Sequence, residues 1–236
     1  MINGGENGAF SNHLPWFHGK EIEDVYRFCV NLHHQLIPYM FSTVVDAHLH
    51  GGSLLKNPSL SQESQMLGND IFTKAITSDE ETVTFSLPEE GQWVDFWSGK
   101  VYAAGTNITQ AYPISQFPLF IRSGSIIPMK IQSNVTGIGS EKMQDGLTLL
   151  VTPNGKTSRL LHLPLGEGTE YEDCMVSFDQ EKRTFSLKRK TSQKTYVIIN
   201  NMPKVKKVRN VEDWSYSDGT LTFSFSGNDA GVTIVL

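Results

Sequence analysis

Ile22, Val25, Cys29, Leu32 and Leu36 recur at three- and four-residue steps, with Phe28 widening the stripe. That period predicts an amphipathic helix over residues 20–36. Glu21, Glu23 and Asp24 fall in its first turn, where the helix dipole favours negative charge. Pro38 stops or kinks it. A second helix is expected over about 39–49, with Tyr39, Met40, Val44 and Ala47 available for burial and Gly51-Gly52 as its left-handed stop. Cys29 lies on the apolar stripe and is expected to be a buried thiol. The helical pair cannot bury both of its apolar faces alone.

From about residue 70 the period changes to two. Val83, Phe85 and Leu87 alternate with Thr82, Thr84 and Ser86; Trp93, Asp95 and Trp97 share one face, Val94 and Phe96 the other. Further β runs are read at 119–122, 125–129, 147–152, 159–163, 185–189, 195–199, 220–225 and 231–236. Turn signals such as Pro153-Asn154-Gly155, Asp218-Gly219 and Gly227-Asn228-Asp229 separate them. Short alternating strands at this spacing predict β-sandwiches rather than a parallel α/β sheet. Residues 1–19 read as irregular, with Phe10, Trp16 and Phe17 packed against something, and the polar, glycine-bearing stretch 132–146 as a linker or long loop. The expected architecture is mainly β: a helical end piece followed by two β-sandwiches.

Composition narrows the function. Of 236 residues, 39% are hydrophobic and 19% charged, which is globular. A net charge of −5 gives no electrostatic footprint for nucleic acid. Lys188-Arg189-Lys190, and Lys204 with Lys206 and Lys207, read as solvated faces. No apolar stretch approaches a membrane span, and Met1 is followed by a Gly/Asn-rich run rather than a signal sequence. Neither cysteine, Cys29 or Cys174, has a metal-binding spacing. His33-His34 and the pair His48 and His50 do not converge on a metal either, so no metal is expected.

Four motifs carry a resemblance. Asn3-Gly4-Gly5-Glu6 leads to His13-Leu14-Pro15-Trp16, and Leu32-His33-His34-Gln35-Leu36-Ile37-Pro38-Tyr39 follows. Leu87-Pro88 precedes Gly91-Gln92-Trp93-Val94-Asp95-Phe96-Trp97-Ser98-Gly99, and Pro118-Leu119-Phe120-Ile121-Arg122-Ser123-Gly124-Ser125-Ile126-Ile127-Pro128 closes the series. In this order they resemble the C-terminal region of glycoside hydrolase family 31, the α-glucosidases, α-xylosidases and relatives. The resemblance implies the end of a (β/α)8 catalytic barrel over 1–69, a proximal β-sandwich with linker over 70–146, and a distal β-sandwich over 147–236. It implies a retaining α-glycosidase, with no cofactor, whose two aspartates flank the scissile bond. None of this chain's aspartates sits in either family context, Gly68-Asn69-Asp70 being only superficially similar. The chain alone is therefore expected to be inactive. Its expected partners are the remainder of the barrel and, through the complete enzyme, a carbohydrate substrate, with neither nucleic acid nor membrane. Exposed apolar surface is expected around residues 10–55, where barrel neighbours would lie.

By the same resemblance His13 is a substrate-binding residue, holding a sugar hydroxyl. The family often has an arginine two residues earlier, where this chain has Ser11, and a histidine bonded only within its loop is the equal alternative. Trp93, Asp95 and Trp97 form either a sugar-stacking platform or, preferably, a packed corner whose indole N–H groups need partners. Arg122 is expected to pair with a carboxylate at a domain interface, and Gly124 to permit a tight reversal between two strands. The competing class is a free-standing carbohydrate-binding sandwich presenting Trp93, Trp97 or Trp214.

Overall fold

The structure, a computed structural model, describes residues 14–58, 61–78, 82–166 and 168–236. It is mainly β, with two helices at its start. Helix α1 spans Lys20–Gln35 and α2 spans Ile37–His50, with Leu36 alone between them. Pro38 opens the second helix as well as ending the first. It sits in the first turn of α2, where a missing N–H leaves no intrahelical bond unmade. Cys29 is exposed, contrary to the expectation of a buried thiol. Full burial on α1 is reached only at Leu32 and Gln35, and the earlier apolar turns are half covered.

Nine strands follow to residue 129: β1 Leu55–Lys56, β2 Ser64–Leu67, β3 Ile71–Lys74, β4 Val83–Ser86, β5 Gln92–Asp95, β6 Val101–Ala103, β7 Asn107–Gln110, β8 Leu119–Arg122 and β9 Ser125–Met129. Six of them form an antiparallel sheet in the order β1-β2-β3-β8-β5-β6, and β4 pairs with β7. Alternation sorts the side chains between two cores. Phe72, Trp93 and Phe120 face Val83, Phe85 and Ile108 of the β4–β7 pair. Ile71, Leu119 and Ile121 face the helices instead, meeting Leu32, Leu36 and Tyr39. Both faces of β8 are covered, which is why Leu119-Phe120-Ile121 reads as an unbroken apolar run.

The remaining strands are β10 Leu147–Thr152, β11 Lys156–Pro164, β12 Tyr171–Asp179, β13 Thr184–Ile199, β14 Lys207–Arg209, β15 Asp213–Ser217 and β16 Thr220–Val235. They run β11-β12-β13-β10-β9, with β16 joined to β13, β14 and β15. Where the sequence reads separate strands at 185–189 and 195–199, and at 220–225 and 231–236, the structure has two continuous ones. They pair antiparallel through a register shift between Lys188 and Gln193. This irregularity bends both strands around a core that includes Phe185, Val197, Phe223 and Val232.

Gly124, at φ +85°, does not close a hairpin. β8 and β9 belong to different sheets, and the Gly124 N–H already donates to the Thr152 carbonyl at 2.7 Å. The reversal is a crossover between layers. β9 then pairs with β10, so a strand of the middle segment completes the sheet of the last one.

Candidate functional site

Where α2, the β2–β3 turn and β11 meet, three polar side chains close on one another. Tyr39, fully buried, donates its hydroxyl to the Leu67 carbonyl at 2.9 Å and to Asp70 Oδ2 at 3.0 Å. Arg159 Nη1 of β11 pairs with the same oxygen of Asp70, and its guanidinium lies 5.3 Å from the Tyr39 ring centroid. Burial and the Asp70 charge together push the Tyr39 phenol well above its usual value. It is an anchored hydrogen-bond donor. Asp70, in the Gly68-Asn69-Asp70 run, is thus spent on an ion pair rather than free for catalysis.

A second junction brings serine, histidine and aspartate together without making a nucleophile. His162 Nδ1 lies 2.8 Å from Asp173 Oδ1, but Ser42 Oγ accepts from the backbone N–H of His162 at 3.0 Å, not from the ring. Nucleophilic catalysis needs the hydroxyl against the imidazole. Here the contacts clamp α2 to β11.

The third cluster is at the β13 irregularity. Arg189 Nη2 lies 2.5 Å from Glu172 Oε1, with 3% and 1% of the side chains exposed. The Lys190 and Thr191 N–H groups donate to Glu172 Oε2 at 3.0 and 2.8 Å. Burial pushes the Glu172 carboxyl up, but the Thr191 hydrogen bonds and the Arg189 charge outweigh it, and the group stays below the usual carboxylate range. The expectation that Lys188-Arg189-Lys190 forms a solvated face fails at its middle residue, which alternation turns inward.

The Trp93–Gly99 motif is a packed corner. Trp93 is buried and its indole N–H reaches the Glu90 carbonyl at 3.1 Å; that of Trp97 reaches the Phe117 carbonyl at 2.7 Å. Asp95 Oδ1 accepts from the N–H groups of Trp97 and Ser98 at 2.8 and 2.9 Å, building the turn that ends β5. Arg122 finds its carboxylate in Glu90, at 3.8 Å and on the surface. Trp214 is partly buried against the distal core.

A cleft of about 780 Å³ opens between this corner, the 136–143 loop and the β15–β16 hairpin. Among the described residues two carboxylates line it, Asp95 and Asp218. One Asp95 oxygen is committed to two backbone N–H groups, and Asp218 sits at the exposed tip of a two-residue hairpin, at φ +49°, accepting from Ser217. His13 lies outside the described residues. Just after it, Trp16 and Phe17 stand 54% and 60% exposed.

Residues 41–127, from within α2 to β9, match the model of the glycosyl hydrolase family 31 C-terminal domain. Over that stretch the chain is similar to the C-terminal region of that family. It is 28% identical to the alpha-xylosidase of Emericella nidulans over 180 residues, covering 67% of this chain and 22% of that protein. Against the alpha-xylosidase of Saccharolobus solfataricus it is 24% identical, over 76% of this chain and 26% of the relative. Among solved structures, the Flavobacterium johnsoniae GH31 dextranase complexed with isomaltotriose aligns with 97% of this chain and 34% of its own, at TM-score 0.79 and 20% identity. The cycloalternan-forming enzyme from Listeria monocytogenes, in complex with a pentasaccharide substrate, aligns with 96% and 25%, at TM-score 0.74 and 19% identity. The chain thus spans about a quarter of the curated relatives just named. The two motifs that fall almost wholly in the matched stretch, at 87–99 and 118–128, serve as core, turn and crossover.

Proposed function

We propose that this chain is the C-terminal portion of a retaining α-glycosidase that hydrolyses O-glycosyl bonds, its two catalytic aspartates contributed by polypeptide outside these residues. In this reading 1–69 ends the catalytic barrel, 70–146 is the proximal sandwich with its linker, and 147–236 the distal sandwich. β9 ties the last two together. His13 would reach the sugar from the loop that follows the last barrel strands.

The observation that carries the reading is an uncovered apolar stripe on α2. Ile37 and Val44, two turns apart opposite the buried Pro38, Tyr39, Ser42 and Thr43, are 47% and 50% exposed, and the half-buried Phe41 between them meets the Tyr171 ring. Six of the fourteen large apolar side chains exposed among the described residues lie between Trp16 and Leu55. A barrel helix needs neighbours on both sides, which accounts for a second apolar face. A free-standing binding module leaves that face without a use.

Two measurements test the reading. The 236-residue chain should release no aryl alcohol from aryl α-glucosides or α-xylosides. Turnover that disappears in Asp95→Asn or Asp218→Asn would place a catalytic carboxylate inside the chain and overturn the proposal. The chain should also enhance the fluorescence of an apolar dye, and Ile37→Glu with Val44→Glu should remove most of that enhancement at unchanged Tm. Equal dye binding by the parent and the double variant would leave the stripe without the role assigned to it.

A further inference from the structure

We propose that the cleft between the Trp93–Gly99 corner and the β15–β16 hairpin binds the end of a neutral oligosaccharide. Its volume of about 780 Å³ falls within the range of small-molecule sites and accommodates two or three pyranose rings. Ile121, Leu150 and Ile198 form an apolar floor, with Phe96 and Trp97 on one side. The opposite wall is hydroxyl and amide, with Asp218 at the hairpin tip: Ser215, Thr220 and Thr222 with Asn200 and Asn201. A pyranose has this division, with C–H faces that pack on apolar surface and a rim of hydroxyls, each both donor and acceptor.

Charge selects among ligands. Among the described residues no lysine, arginine or histidine lines the cleft, while Asp95 and Asp218 do. A phosphate or uronate would enter against two negative charges with no cation to meet it. A neutral polyol, whose hydroxyls donate to carboxylates, meets no such cost.

An independent observation points the same way. Thr152, at the end of β10, is 2% exposed and lines the cleft, and its Oγ1 is one of seven buried side-chain atoms without a hydrogen-bond partner among the described residues. Buried hydroxyls are mostly satisfied, and rotation of the Thr152 side chain about χ1 would turn this unspent one toward a ligand in the cleft. Alternation places Thr152 on the same sheet face as Leu150 of the floor. Asn201, held at φ +56° on the hairpin side, lies across from Gly99: a Cβ there would come within 3.9 Å of Asn201 Oδ1.

The test titrates the full chain with maltotriose and with isomaltotriose, followed by saturation-transfer NMR and calorimetry. Millimolar binding of at least one is expected, with a Kd of about 1–10 mM. Ser215→Trp puts an indole into the cleft from an exposed strand position and should raise Kd at least about tenfold. Asp218→Asn keeps a residue that tolerates the left-handed turn and should raise Kd about three- to tenfold. Asn201→Gly, which also suits its backbone, serves if the tryptophan variant fails to fold. A trisaccharide ending in a uronate should bind more weakly than its neutral counterpart. No saturation transfer from either sugar at about 10 mM, or transfer unchanged in Ser215→Trp and Asn201→Gly, would overturn the assignment. Binding here requires no turnover and the hydrolysis assay requires no binding here, so the two proposals fail separately.

Discussion

Replacing Asp70 by asparagine removes one charge from the junction of three elements and leaves its neighbours in place. Asp70 is 8% exposed, with Tyr39 donating to it at 3.0 Å and Arg159 paired with the same oxygen. Breaking a fully buried ion pair from one side costs about 3–5 kcal/mol, because the surviving charge stays desolvated. Arg159 keeps 22% of its side chain in water, so the expected loss for Asp70→Asn is lower, about 2–3 kcal/mol. Arg159→Met strands a carboxylate that still has the Tyr39 hydroxyl, and should cost about 1–2 kcal/mol. The double variant strands neither, so it should be more stable than the sum of the singles by about 1.5 kcal/mol or more. The assay is urea unfolding followed by far-ultraviolet dichroism and by tryptophan fluorescence. Because Asp70 bridges Tyr39 of α2 and Arg159 of β11, Asp70→Asn should also split the two probes, with the helical signal lost first. A cycle additive to within about 0.5 kcal/mol would refute the claim that this contact couples the layers.

Gly68, at φ +60°, lies under the same tyrosine, and a Cβ there would meet the Tyr39 hydroxyl oxygen at 2.3 Å. Gly68→Ala should therefore cost about 2–4 kcal/mol by thermal unfolding, and measurably less in a Tyr39→Phe background, where that oxygen is gone. Glu172 has a folded-state pKa held below the carboxylate reference value of 4.5. A depressed folded pKa contributes stability above the unfolded pKa, and that contribution is lost as pH falls through the folded value. Tm should thus fall on acidification below about pH 4.3, and Glu172→Gln should show a lower Tm at neutral pH with a flatter acid limb; parallel limbs would contradict this. Burial pushes the Cys174 thiol up to about 12, whereas Cys29 is exposed. A disulfide reagent at pH 8 should titrate one thiol in the native chain and two in guanidinium, and Cys29→Ser should abolish the native reaction.

Legibility followed how far each local pattern was self-contained. The stripe from Ile22 to Leu36 and the alternation of Val83, Phe85 and Leu87 needed no distant partner to be read, and both gave the observed elements. β12 was missed although its pattern is regular, with Glu172, Cys174, Val176 and Phe178 all inward. A glutamate at the first inward position breaks the apolar alternation, and the Arg189 guanidinium with the Lys190 and Thr191 N–H groups of the neighbouring strand makes its burial tolerable. The same pair explains the false break in β13. Lys190 to Lys194 are exposed and polar, so they read as a loop, whereas the register shift there lets Thr191 and Gln193 turn back onto the buried arginine. Cys29 erred in the other direction, since position on an apolar stripe says where a side chain points but not whether anything covers it.

The site divides along the same line. Trp93, Asp95 and Trp97 stood out as candidate chemistry because tryptophans and a carboxylate alternate, and each is engaged in building the corner. The cleft beside them is made of residues with no individual signal, such as Thr152, Asn200 and Ser215, contributed by three separate strands or strand ends. Chain connectivity places them together. β8 leaves one sheet at Ser123-Gly124 and β9 enters the other, so the two sheets share a junction but diverge beyond it. Toward the strand ends on this face, the core positions Leu150 and Ile198 give way to Thr152 and Asn200. The hydroxyls and amides of Thr152, Asn200 and Ser215 are therefore where the proposed oligosaccharide would find its hydrogen-bond partners, and the Ser215→Trp titration decides whether it does.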